Sequence, residues 1–239
     1  NLIVKVQMQK AINCSDCIVY ISEASKKSFN SKFKINTREV VIYNGIENKF
    51  FKNQKERNEK NNTINIIFIG RLVKVKGVNL LIDAFEKTSR IIENITLTIV
   101  GDGVERENLE EQVKKIDIAD KVNFAGRQNN IIEWLDKSDI FVYPSIWEEG
   151  FGISVVEAMS RGCIPITFNR GALSEIIDNG NSGFIVNDVN SNSLAEKIQF
   201  LCNYEDKKDI MKNAKENSKK YTIENTINYL ENEYYNLMK

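Results

Sequence analysis

The chain has no histidine among its 239 residues. That removes the side chain most often used as a general base near neutral pH and a common metal ligand. It also argues against an epimerase built on a histidine acid–base pair. Cysteine is scarce: Cys14, Cys17, Cys163 and Cys202. Cys14-x2-Cys17 has no second pair to complete a metal site, so it reads as small apolar residues at a helix-to-strand junction, and all four read as cytosolic thiols. No charge of either sign is in excess, with 33 basic and 33 acidic residues. Nucleic-acid binders are usually basic, so a nucleic-acid partner is not expected. No apolar run is long enough to cross a bilayer, and neither a membrane span nor a signal peptide is expected. No strand is followed by G-x-G-x-x-G, which argues against a dinucleotide oxidoreductase. No Asp-x-Asp metal motif occurs. What is there is a 42% hydrophobic chain, enough for a sizeable core in one large or two small domains.

Strand and helix signals alternate along most of it. Leu2 to Asn13 reads as a helix and Cys17 to Ile21 as a strand. Ser22 is a good N-cap for a helix through about Phe29. Glu39 to Tyr43 is the next strand. Lys52 to Asn62 is dense in Lys, Asn and Glu and reads as an exposed linker. The run Ile64 to Ile69 suits a strand buried on both faces. A helical stripe follows at Val78, Leu81, Ile82 and Phe85. Further strands are expected at Ile95–Val100, Val122–Ala125, Ile140–Tyr143, Ile164–Phe168 and Gly183–Val186, with helices between them. That alternation predicts a parallel, doubly wound α/β sheet, whose ligands bind at the carboxyl ends of the strands. Three helical segments without strands close the chain: Leu194–Leu201, Asp206–Lys219 and Ile223–Met238.

The most informative stretch is Glu148-Glu149-Gly150-Phe151-Gly152-Ile153-Ser154-Val155-Val156-Glu157-Ala158-Met159. A strand stopped by Pro144 precedes it. Gly150 and Gly152 allow a sharp turn and close approach of a ligand. The amides of Gly152 to Val155 are then expected as free first-turn donors, a natural phosphate site. Glu157 shares a helix face with Ile153, which predicts that it faces inward, leaning back over the same pocket. Glu149 lies on the other side of the loop. Arg71 and Lys76 follow the first strand of the sheet, where a planar fork and a point charge can neutralise a diphosphate.

Together these motifs resemble the E-x7-E signature of retaining glycosyltransferases of family 4, which have the glycosyltransferase B fold. Gly70-Arg71-Leu72 with Lys76-Gly77, Gly101-Asp102-Gly103, Gly126 and Glu149 to Glu157 stand in the family's order and at about its spacing. The resemblance runs from about Ser15 to Phe200. It implies a Rossmann-like parallel sheet with helices on both faces, the C-terminal domain of that fold. A remnant of the N-terminal domain would precede it and a helical tail would follow. The expected boundaries are 1–45 for the remnant, 46–62 for a linker, 63–203 for the donor-binding domain and 204–239 for the tail, whose last helix braces the N-terminal domain. The family often places a histidine near the reacting sugar, but in the N-terminal domain. The expectation is therefore a C-terminal part of a longer transferase, with a natural short subunit as the alternative.

By the same resemblance Arg71 and Lys76 hold the donor diphosphate. Glu157 accepts from the ribose hydroxyls, a vicinal diol supplying two donors to a carboxylate. Glu149 is the catalytic carboxylate, holding the donor sugar and supporting positive charge as the glycosidic bond breaks. Chemistry alone allows Glu148 that role; only the spacing selects Glu149. Gly150, Phe151, Gly152, Ile153 and Ser154 meet the sugar and phosphates largely through backbone amides. Gly126, Arg127 and Gln128 lie at the base, and Asp102 shapes a turn. The implied reaction is metal-independent transfer with retention from a nucleotide sugar, UDP-linked, to a glycan or lipid-linked glycan. It would run in the cytoplasm or peripherally at the inner face of the cell membrane, in polysaccharide, lipopolysaccharide or capsule synthesis. Lys26, Lys27, Lys32 and Lys34 are candidates for contact with anionic lipid, a solvated face being the preferred reading. Two other readings are kept: a non-catalytic nucleotide-sugar-binding half and an epimerase of the same fold.

Overall fold

In the computed structural model, residues 2–52 and 63–239 are described. The amino-terminal segment holds α1 (Leu2–Asn13), β1 (Cys17–Tyr20), α2 (Glu23–Asn30) and β2 (Arg38–Val41), with β1 and β2 paired in parallel. Ser22 caps α2 as the sequence suggests, its hydroxyl accepting from the Ser25 amide at 3.0 Å while the Ser25 hydroxyl accepts from the Ser22 amide at 3.1 Å.

The main body alternates β3 (Ile64–Ile69), α3 (Val78–Ser89), β4 (Ile95–Val100), α4 (Arg106–Lys115), β5 (Val122–Gly126), α5 (Ile132–Leu135), β6 (Ile140–Tyr143), α6 (Ile153–Ser160), β7 (Ile164–Phe168), α7 (Leu173–Ile176) and β8 (Phe184–Val186). The tail is α8 (Ser191–Asn203), α9 (Lys207–Ser218) and α10 (Ile223–Leu237). Six parallel strands lie in the order β5-β4-β3-β6-β7-β8, with helices on both sides. Ile66, Ile67 and Phe68 of the central strand are inaccessible to solvent, which is why that strand reads as an unbroken apolar run. Helix α3 packs with α8 and α4, and α6 packs with α9. The strand order reverses between β3 and β6, the switch point at which parallel sheets of this kind bind their ligands.

The stretch expected as a linker divides in two. Residues 46–51 pack on the body: Phe50 is buried, and Ile46 exchanges backbone hydrogen bonds with Tyr221 and Ile223 at 2.9 and 3.0 Å. Residues 53–62 lie outside the described residues. Helix α10 returns to the amino-terminal segment. Glu233 receives two bonds from Arg38 at 2.8 and 3.0 Å, and the Thr226 hydroxyl donates to the Tyr43 carbonyl at 2.8 Å.

Candidate functional site

The crevice is built from three loops leaving β3, β6 and β7. The loop after β3 ends in a 3₁₀ turn, Lys74–Lys76, and Gly77. Gly77 has φ +65°, and a Cβ there would stand 2.1 Å from the Pro144 carbonyl oxygen. Only glycine lets this loop lie against the exit of β6. The Ile146 amide donates to the Val75 carbonyl at 3.0 Å and fixes the contact.

That contact brings Lys76 onto Glu149. The ammonium donates to the Glu149 carboxylate at 2.6 Å and to the Tyr143 hydroxyl at 2.5 Å. The Ser145 hydroxyl donates to the same carboxylate oxygen. The two side chains of the ion pair are only 15% and 13% exposed. Burial opposes the charge on Lys76, but the hydrogen bonds to Glu149 and Tyr143 outweigh it and raise its pKa above the usual lysine value. The Tyr143 hydroxyl is pushed up chiefly by burial. Charged hydrogen bonds of this kind are the strong ones, and two hydroxyls share them here.

Glu148 points elsewhere. Its carboxylate accepts from the Gly171 amide at 2.6 Å and lies 3.5 Å from the Arg170 guanidinium. The spacing argument that selected Glu149 thus coincides with a geometric difference between the two glutamates. Gly171 touches the backbone of Glu149. With φ +57°, it would place a Cβ 2.1 Å from the Glu149 carbonyl oxygen. Gly171→Ala is expected to lower the melting temperature by roughly 5–10 °C, combining left-handed backbone strain with displacement of the Glu149 loop. Thermal unfolding followed by circular dichroism checks this, and an unchanged midpoint would contradict it.

Helix α6 starts at Gly152, whose φ is +115°. The amides of Gly152, Ile153 and Ser154 have no partner among the described residues. The expected fourth donor is taken, since the Val155 amide bonds the Gly152 carbonyl at 3.0 Å. The helix begins with a tight i to i+3 turn, so three donors remain. Phe151 turns its ring away from the crevice, packing 6.1 Å from Tyr43 and 5.5 Å from Tyr221 between ring centroids. It leaves only its backbone to a ligand.

Ile153 corrects one expectation. It is 47% exposed at the rim, so sharing a face with it does not bury Glu157. The core stripe of α6 is Val155, Val156, Ala158 and Met159. Glu157 is instead half-buried, near Glu47 and Lys49 of the packed 46–51 stretch. Burial is the largest cause that lifts its carboxyl to about 7; Lys49 opposes the shift and Glu47 adds to it.

The remaining expected residues stand at the carboxyl ends of β3, β4 and β5. Arg71 is exposed and unpaired among the described residues. Gly126 ends β5 with φ +67° and accepts from the Gly101 amide at 2.8 Å. Arg127 is exposed, and the Gln128 amide folds back to donate to the Ala125 carbonyl at 2.6 Å. Asp102 accepts from the Gly103 amide at 2.8 Å, a turn-shaping role.

Three functional candidates escaped the sequence reading. Tyr143 ends β6 and Ser145 follows it across Pro144, and a polar residue at the carboxyl end of a buried strand was the available signal. Glu175 is the third. Its carboxylate accepts from the amides of Glu23 and Ala24 at 2.9 and 2.7 Å and from the Tyr43 hydroxyl at 3.1 Å. Nearby, the Ser22 hydroxyl donates to the Gly150 carbonyl at 2.7 Å. A cavity of about 280 Å³ lies between α2 and the glycine loop, with Ser25, Ser28, Phe29, Lys32, Glu148 and Gly150 in its walls. No signal within either segment alone marked this contact.

Comparison with known proteins places these features in a family. The chain is 30% identical over 194 residues to an uncharacterised glycosyltransferase of Haemophilus influenzae, covering 81% of this chain and 53% of that protein. It is 28% identical over 236 residues to the N-acetyl-alpha-D-glucosaminyl L-malate synthase of Bacillus anthracis, covering 95% of this chain and 61% of that protein. The chain spans between half and two thirds of the length of these curated relatives. A glycosyltransferase from Rickettsia africae superposes with a TM-score of 0.85 at 22% identity, covering 98% of this chain and 67% of that one. An Anabaena protein solved with UDP and glucose superposes with a TM-score of 0.83 at 22% identity, covering 97% and 67%. Both share the fold. The family model for glycosyl transferases group 1 matches residues 49–221, most of the body that carries the crevice, and the chain belongs to that family.

Proposed function

We propose that this chain is the donor-binding part of a retaining glycosyltransferase of family 4 that uses a nucleotide sugar, UDP-linked. The observation that carries the reading is the convergence of Lys76, Glu149 and three unpaired amides of α6 at one crevice, with Glu157 on the same helix. The diphosphate meets Lys76, Arg71 and those amides. Glu157 takes the ribose diol, Glu149 the sugar, and the loop at Gly126, Arg127 and Gln128 the base. The Anabaena protein solved with UDP and glucose supports the choice of a UDP-linked donor.

In this reading the glycosidic bond breaks as the diphosphate leaves. Lys76, Arg71 and the amides stabilise the charge that develops on it, and Glu149 supports the positive charge at the anomeric carbon. The acceptor hydroxyl attacks from the face the diphosphate leaves, which retains the configuration, and the leaving diphosphate takes its proton. Two cations and a helix start supply the electrostatic work that a metal would otherwise do, so no metal is required. The acceptor, a glycan or lipid-linked glycan, approaches along α2. An N-terminal domain, in the same longer chain or as a separate subunit, completes that wall. The reaction belongs to cytoplasmic polysaccharide synthesis, with lipopolysaccharide or capsule as product and contact at the inner face of the membrane. No helix among the described residues is long and apolar enough to cross a membrane.

Calorimetric titration with UDP, GDP and ADP tests the donor site. Binding selective for UDP, undiminished by a chelator, is expected. Preference for another base, or loss of binding with the chelator, would count against the reading.

A further inference from the structure

The ion pair at the centre of the crevice joins two residues assigned to different parts of one donor. Lys76 is needed by the diphosphate and Glu149 by the sugar, yet the two side chains are bonded to each other at 2.6 Å. Both are largely buried, so neither is satisfied by bulk water instead. Each also has a second, fixed partner. Tyr143, on β6 and stacked 6.1 Å from Phe68 and from Phe141 between centroids, takes the ammonium. Ser145, which is inaccessible to solvent, holds the carboxylate and lies 3.3 Å from the Val75 carbonyl.

Resting on the function proposed above, we infer that the Lys76–Glu149 ion pair opens as the donor binds and exchanges its partners, with Ser145 as the positioning residue for Glu149. The arriving diphosphate draws Lys76 away from Glu149, and Tyr143 steadies the ammonium as it moves. Glu149, released by Lys76 and still held at the same oxygen by Ser145, then turns its freed lone pair to the sugar. The site thereby presents its full negative charge to the sugar only once the diphosphate is seated. A bare sugar meets a neutralised pair.

The exchange makes Glu149 a competitor of the diphosphate, which gives an unusual expectation for a residue of the donor site. UDP affinity is measured by calorimetry on the wild type, Glu149→Gln, Lys76→Met, the double variant, Ser145→Ala and Ser145→Ala with Glu149→Gln. Circular dichroism confirms that each is folded. Glu149→Gln is expected to tighten UDP by roughly three- to tenfold, because the charged competitor is gone. Lys76→Met weakens UDP at least tenfold, and in that background Glu149→Gln has no further effect. Ser145→Ala leaves Glu149 more dependent on Lys76 and weakens UDP about two- to fivefold, an effect absent when residue 149 is Gln. A merely structural serine would weaken binding equally in both backgrounds. If Lys76→Met weakens UDP but Glu149→Gln does not tighten it, the exchange is wrong and the donor site stands. An unchanged affinity in Lys76→Met overturns both.

Discussion

Replacing Arg161 with alanine is expected to remove about 3–5 kcal/mol of stability, a large part of what a domain of this size has. The side chain follows α6 directly and is 3% exposed. Its guanidinium makes two parallel bonds to the Asp136 carboxylate at 2.7 and 2.8 Å. It also donates to the carbonyls of Phe50 and Lys52 at 3.0 and 2.7 Å, pinning the 46–52 stretch to the body. Alanine strands a carboxylate that is only 14% exposed and two carbonyls whose donor has gone. Lysine at 161 should recover less than half of the loss, because a point charge cannot reproduce the fork. Asp136→Leu with Arg161→Met should restore the part due to the stranded carboxylate, while the carbonyls of Phe50 and Lys52 still lack their donor. Denaturant unfolding reads this as a shift of midpoint at constant slope. A loss below about 1 kcal/mol for Arg161→Ala would show that the pair is not the staple its geometry suggests.

Glu157→Ala is expected to weaken UDP about a hundredfold at pH 8, the scale of two charge-assisted hydrogen bonds to the ribose diol after partial compensation by water. The pH dependence separates this from a packing defect. The carboxyl stands at about 7 in the free chain, against an ordinary value of 4.5. An acceptor of two hydroxyl donors must be ionised, so wild-type affinity should be flat above pH 7 and fall about tenfold per unit below it. Titration at pH 6 should release nearly one proton, seen as a dependence of the heat on buffer ionisation. Glu157→Gln should bind weakly and without that slope. Stability runs the other way. A carboxyl whose folded pKa is raised favours the folded state fully below pH 4.5, loses that contribution as pH rises to 7, and has lost it above. Glu157→Gln should therefore raise the melting temperature at pH 8 and flatten the fall between pH 4.5 and 7. The stability difference is on the order of 2–3 kcal/mol. Retention of the same pH slope in the variant would assign it to another group.

The sheet was legible because its strands are short apolar runs closed by glycine or proline. Ile64–Ile69 and Ile140–Tyr143 fall where the sequence puts them. Packing against a distant partner was less legible. Phe50 sits in a stretch read as linker, since an adjacent Phe50–Phe51 pair among Lys, Asn and Glu gives no periodic signal, yet Phe50 is buried and its carbonyl is held by Arg161. Ile153 illustrates the converse: three-residue spacing marks a stripe, but the first residue of a helix at a crevice rim has nothing above it to bury it. The sequence placed Lys76 and Glu149 near one ligand. It did not show them bonded to each other, because that depends on the loops after β3 and β6 meeting, and Gly77 alone hinted at so close an approach.

The Glu175 contact has a consequence for the order in which the chain assembles. Helix α2 completes one of its first-turn amides locally, through Ser22. Those of Glu23 and Ala24 are completed by a carboxylate 152 and 151 positions away. Closing so long a loop is slow, and nothing rewards it until β7 and α7 exist. Residues 22–25 are therefore the last turn to acquire full protection from hydrogen exchange during refolding. Within that turn the amides of Glu23 and Ala24 are the first to lose it in mild denaturant, while the Ser25 amide, capped by its near neighbour, gains it earlier and stays protected longer.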